Sequence, residues 1–190
     1  MIEPGESSNE ALIETSRDVL EKLKGISRSI IPSTQVICPL KGLANDINSA
    51  IRQIFLGNGI EPESIYTTGE KVIQLSNDYK IGGGPVYNGE IGEITSVKHN
   101  EYTIKYVRTD NEHAIITYSE GKALRNISYG YCITIHKAQG SEYDNVIAVL
   151  PETRMLDLRL LYTAVTRARK KLIIISSEKA IAMAHENGFF

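Results

Sequence analysis

Four short stretches, TQVICPL, YCITI, NVIAVL and KLIIIS, are almost unbroken runs of aliphatic and β-branched residues. A strand covered on one side alternates apolar with polar, whereas a continuous apolar run marks a strand covered on both sides, as in a parallel sheet layered by helices. Helical periodicity lies between these runs. Glu10–Lys24 places Leu12, Ser16, Val19, Leu20 and Leu23 on one face, with Ile26 beyond Gly25 as the stop. Ile47, Ala50, Ile51, Ile54 and Phe55 make a second face ending at Gly57, and Leu158, Leu161, Val165, Ala168 and Leu172 predict a third. The pattern predicts an α/β layer.

From about Gly69 to Arg125 the texture changes. EKVIQLSNDY, EIGEITSVKH, EYTIKYVRTD and HAIITYSEG are short β-rich runs separated by GGGP, NG, HNE and TDNE turn signals. They predict a small antiparallel barrel inserted into a discontinuous α/β domain. The expected partition is 1–68 for the first part, 69–126 for the insert and 127–190 for the second part. IGGGP at 81–85 reads as a turn, and Tyr79, Tyr87 and Asn88 read either as barrel core and turn residues or as contacts to a single strand.

Charge narrows the partners. The chain of 190 residues carries 21 Lys+Arg against 23 Asp+Glu, a net −2, so any nucleic-acid contact must be local. Cys38 and Cys132 each fall inside an apolar run, which predicts buried thiols in a reducing compartment and no metal site. The N-terminus lacks an apolar signal core, and no run approaches the roughly 18 residues of a membrane span, which predicts a cytoplasmic protein.

The chemistry concentrates where YCITI runs into HKAQGSEYD. His136 to Gln139 are expected to leave the sheet at its carboxyl end, where open α/β sheets place ligands. Gly140 permits a tight turn and Glu142 offers a carboxylate at the rim. Thr134 and His136 either donate to a strand phosphate or cap a short helix, and Glu142 either meets a ribose or is solvated. On the side opposite the third helical face, Arg167 is displayed, and either brings a permanently charged fork to a nucleotide phosphate or is a surface arginine of a basic helix end. Arg169, Lys170 and Lys171 read as a basic helix end that complements the helix dipole.

TIHKAQGSEYD resembles motif V, and LLYTAVTRARKKL motif VI, of superfamily 1 helicases, specifically the RecD-like branch. QVICPLKGLANDINSAI is similar to the strand and helix that open the family's second motor domain, and GEKVIQLSNDYKIGGGPVYNGEIGEI to the segment leading into its SH3-like barrel. The resemblance runs from about Gln35 to Ser176.

It implies a RecA-like parallel sheet interrupted by that barrel, acting as the C-terminal motor domain of an ATP-dependent 5′ to 3′ DNA helicase. Arg167 matches the arginine that reaches the γ-phosphate of ATP, with Gln139, Gly140 and Glu142 beside the nucleotide. Thr134, His136 and Lys41 match positions that touch single-stranded DNA, Lys41 being otherwise a solvated turn lysine. The implied partners are single-stranded DNA and an N-terminal motor domain of the same parent protein, with ATP and Mg2+ in the complete enzyme and none held tightly by this chain. The sequence contains no GxxxxGK[ST] loop, so the chain alone is expected not to hydrolyse ATP. The alternative is a non-catalytic adaptor that uses the same fold and barrel to bind protein or nucleic acid.

Overall fold

The computed structural model describes residues 33–56, 65–79, 83–108 and 113–188. The helix expected at Glu10–Lys24 and the Gly57 stop lie outside these residues. Two compact units emerge, one formed by the described residues up to Ile51 and from Cys132 onward, the other by those from Arg52 to Tyr131.

The first unit is built on a four-stranded sheet. Its strands are β1 (Thr34–Cys38), β7 (Cys132–Thr134), β8 (Tyr143–Leu150) and β9 (Ala168–Ser176), in the spatial order β7-β1-β8-β9, every pair parallel. All five residues of β1 and the last five of β8 are buried, which is why those runs carry no alternation. Helix α1 (Lys41–Leu56) buries Leu43, Ala44, Ile47, Asn48 and Ile51. Asn48 is the polar exception with a reason: its amide donates to the Cys132 carbonyl and accepts from the Cys132 N–H, both at 2.8 Å. The Cys38 and Cys132 thiols are buried as free cysteines, sulfur to sulfur 3.7 Å.

Helix α3 (Leu158–Val165) starts at Asp157, whose carboxylate accepts from the Leu160 N–H at 2.6 Å, and α4 (Glu178–Asn187) starts at Ser177, which accepts from Ala180. The helical reading through Ala168 and Leu172 is corrected here. The helix stops at Val165, and from Ala168 the β-branched run pairs with β8. Arg169 and Lys170 are therefore strand residues, ion-paired across to Glu142 and Asp144, and do not complement a helix dipole.

The second unit is a five-stranded sheet in the order β5-β4-β3-β2-β6, every pair antiparallel. Its strands are β2 (Lys71–Gln74), β3 (Ile91–Lys98), β4 (Glu101–Val107), β5 (His113–Ser119) and β6 (Ile127–Tyr129), with α2 (Glu120–Asn126) between the last two. β5 alternates exposed and buried at every residue. Ile94, Ile104, Ile116, Tyr102, Tyr106 and Tyr118 form its core. The sheet takes in β6, three residues beyond the boundary of 126 read from the sequence, because Ile127–Tyr129 pairs with β2. The turn between β3 and β4 is made by His99 and Asn100, both with positive φ. Among the described residues no helix is long and apolar enough to cross a membrane.

Candidate functional site

Strand register decides which of the sequence-predicted residues come together. Cys38 of β1 pairs with Thr134 of β7, so Thr134 and the residues after it leave at the carboxyl edge, where Lys41 also begins α1. Asn145 pairs with Thr34 and Tyr143 with Ala168, so Ser141, Glu142 and Arg167 lie beyond the opposite, amino edge. The strand rise of about 3.3 Å per residue puts Thr134 and Arg167 roughly 20 Å apart along the strands. The expectation of one crevice at the carboxyl end is thus corrected. Residues 135–142 cross from one edge of the sheet to the other, because β8 begins about two residues before the level of Thr34.

At the carboxyl edge, the Thr134 hydroxyl accepts from the Lys137 N–H at 3.3 Å and the Thr134 carbonyl accepts from Ala138 at 3.1 Å, starting a helical turn. His136 is exposed, and so are Lys41 and Lys137. Partial desolvation lowers the Lys137 pKa, and the neighbouring Lys41 charge lowers it further. Among the described residues no carboxylate forms an ion pair with either lysine. Two adjacent cations without a counter-ion suit a phosphate backbone, which neutralises both. Lys137 went unnoticed in the sequence because a lone lysine beside a turn carries no signal of its own. Only its closeness to Lys41, nearly a hundred residues earlier, gives it meaning.

The middle of the crossing is turn structure. The Gln139 N–H donates to His136 at 3.3 Å, the Ser141 N–H donates to Ala138 at 3.1 Å, and the Gln139 side chain is solvated. Gly140 has φ +82° with open space where a Cβ would stand, so backbone conformation and not crowding requires glycine.

At the amino edge Arg167 is half-buried. Its Nε donates to the Thr163 carbonyl, Nη1 to the Ser141 carbonyl and Nη2 to the Thr166 hydroxyl, each at 2.9 Å. The first bond, with one from the Thr166 hydroxyl at 3.1 Å, satisfies a carbonyl at the end of α3. A guanidinium has five N–H donors, so two remain for a ligand. No carboxylate among the described residues pairs with it. Glu142 engages Arg169 at 2.9 Å in an ion pair about half exposed on both sides, weak enough to exchange for another partner. Tyr143 closes the group. Burial raises its phenol above the ordinary range, while a hydrogen bond with Ser141 and the Arg167 charge pull it back. The structure therefore places Arg167 and Glu142 at one edge and Thr134, His136 and Lys41 at the other, and sets Gln139 and Gly140 on the link. Among the described residues no three His, Cys, Asp or Glu side chains form a metal-binding set.

Residues 129–175 match the family model described as the UvrD-like helicase C-terminal domain. The chain is 30% identical over 156 residues to the RecBCD enzyme subunit RecD of Buchnera aphidicola, covering 76% of this chain and 25% of that protein. It is 35% identical over 118 residues to the ATP-dependent RecD2 DNA helicase of Deinococcus radiodurans, covering 61% of this chain and 15% of that one. The chain thus spans a quarter or less of these relatives. In fold it is similar to the Pif1 helicase from Bacteroides in complex with ADP-AlF3 and ssDNA, with a TM-score of 0.53 at 18% identity, covering 90% of this chain and 53% of that one.

Proposed function

This chain belongs to the RecD-like superfamily 1 helicases, whose UvrD-like C-terminal domain it carries, and from that premise we propose that it is the second RecA-like motor domain of an ATP-dependent DNA helicase moving 5′ to 3′. Its parallel sheet is the motor half, and its antiparallel unit is the SH3-like barrel inserted at about 69–126. The observation that carries this reading is the arginine at the amino edge, held by three bonds to neutral oxygens, with no carboxylate partner among the described residues and with two donors to spare.

In the complete enzyme, ATP is the substrate in a cleft whose other wall is an N-terminal motor domain of the same parent. Arg167 donates to the γ-phosphate as charge develops there, and needs little rearrangement because its neighbours already fix its plane. Gly140 and Gln139 bring backbone close to the nucleotide, and Glu142 exchanges Arg169 for the ribose. At the other edge Lys41, Thr134 and His136, joined by Lys137, hold the backbone of single-stranded DNA. The crossing segment links the two, so strand position and phosphate charge act on one short piece of chain. Among the described residues no three His, Cys, Asp or Glu side chains cluster, and we assign the Mg2+ that accompanies ATP no ligand here.

The experiment is a comparison of the chain alone with the complete parent protein. The chain alone binds single-stranded DNA weakly, loses affinity as salt rises and hydrolyses no ATP. In the parent, Arg167→Ala lowers ATP turnover by about a thousandfold, the lower end of what such an arginine contributes, while strand affinity changes less than about twofold. Near-normal turnover in that variant would sink the assignment.

A further inference from the structure

The antiparallel unit presents two exposed tyrosines. Tyr79 is 66% exposed and Tyr87 44%, although both lie in a stretch that reads as barrel core and turn. They flank an isolated antiparallel bridge in which Asp78 and Val86 exchange backbone hydrogen bonds at 2.8 and 2.9 Å. Their ring centroids are 6.1 Å apart at an interplanar angle of 76°, an edge-to-face pair in which Tyr79 keeps the larger share of its surface in solvent.

The pair is held in place. Asn77 donates from Nδ2 to the Tyr79 hydroxyl at 2.9 Å and accepts from the Asn88 N–H at 2.8 Å, which ties the two sides of the bridge together. The Arg108 guanidinium, fixed by Glu90 at 3.0 Å and by the Pro85 carbonyl at 2.6 Å, stands over the Tyr87 ring 5.7 Å from its centroid and occupies one of its faces. Two large rings fixed outward in water make a surface whose missing partner is flat and aromatic.

We propose that Tyr79 and Tyr87 form a stacking platform for unpaired nucleobases of a single strand. The proposal rests on the reading of this chain as a single-strand motor and adds a contact of a different kind. The lysine edge of the parallel sheet meets phosphates and is indifferent to bases, whereas a tyrosine face meets any base and is indifferent to phosphate. Asn77 holds the Tyr79 hydroxyl and Arg108 backs one face of Tyr87, so the rings are ordered before the strand arrives and little entropy is lost on stacking.

The test uses the chain itself with two fluorescein-labelled probes of equal length at low salt, an oligothymidylate and a fully abasic oligomer that keeps the phosphates. The wild-type chain binds the oligothymidylate about tenfold more tightly, within the range of one or two stacked bases. Tyr79→Ala combined with Tyr87→Ala removes that preference and leaves abasic affinity unchanged, while Tyr79→Phe with Tyr87→Phe retains it. Undiminished oligothymidylate affinity in the alanine variant, or equal affinity of the wild type for both probes, overturns the platform and leaves the motor reading standing. Failure of the wild type to bind either probe overturns the strand-binding reading on which the platform rests.

Discussion

The two edges of the parallel sheet solve opposite problems with the same charge. At the amino edge Arg167 spends three donors on fixed oxygens, so its guanidinium is aimed before any ligand comes. At the carboxyl edge Lys41 and Lys137 stand close enough for one to depress the other's protonation, and no described carboxylate relieves them. The first arrangement suits a reaction in which charge appears at one defined place. The second suits a sliding polyanion, where repulsion between cations is relieved at whatever register the phosphates adopt.

If the edges are functionally separate, exchanging one should leave the other's readout alone. The largest effect is the thousandfold loss of turnover in Arg167→Ala. That variant should leave the salt dependence of strand binding as it was, and a changed slope would show that the edges are not independent. Next in size, Lys41→Ala with Lys137→Ala weakens single-strand binding about tenfold and reduces the slope of log affinity against log salt by about two, measured by fluorescence anisotropy across a salt series. Turnover at saturating strand should survive in the complete protein.

A smaller effect separates the edges by pH. The folded-state pKa of Lys137 is lowered, so its charge is complete well below the ordinary lysine range and is lost earlier as pH rises. Strand affinity should therefore begin to fall at a lower pH than an ordinary lysine would set, by proton loss at the carboxyl edge, while arginine does not titrate there. Lys41→Ala removes part of the cause and moves the fall to higher pH. A pH profile identical in Lys137→Arg would contradict this. The smallest effect is on stability. Glu142→Gln breaks the exposed pair with Arg169 and should shift unfolding by less than about 1 kcal/mol in a denaturant titration, which separates any loss of turnover from loss of fold.

The layer structure was legible because burial on two sides and burial on one side write different patterns. The runs of β1 and β8 are unbroken, and the HAIITYS run of β5 alternates without exception. The division of the site between two edges was not legible. It depends on where β8 starts relative to β1, and no local pattern in residues 135–142 encodes how far a turn travels across a sheet. The end of α3 was misread for a related reason: Val165, Ala168 and Leu172 fit a helical period, yet pairing with β8 claims the chain from Ala168 onward. Tyr79 and Tyr87 flank a single bridge between Asp78 and Val86 and not a full strand, a difference that turn signals in the sequence do not record.

The Asn48 amide has a consequence for solubility. β7 is three residues long and borders the sheet, and such a margin is an open template onto which a stray polypeptide can zip. By engaging both main-chain groups of Cys132, one asparagine takes bonding positions that another strand could otherwise use at this margin of the described sheet.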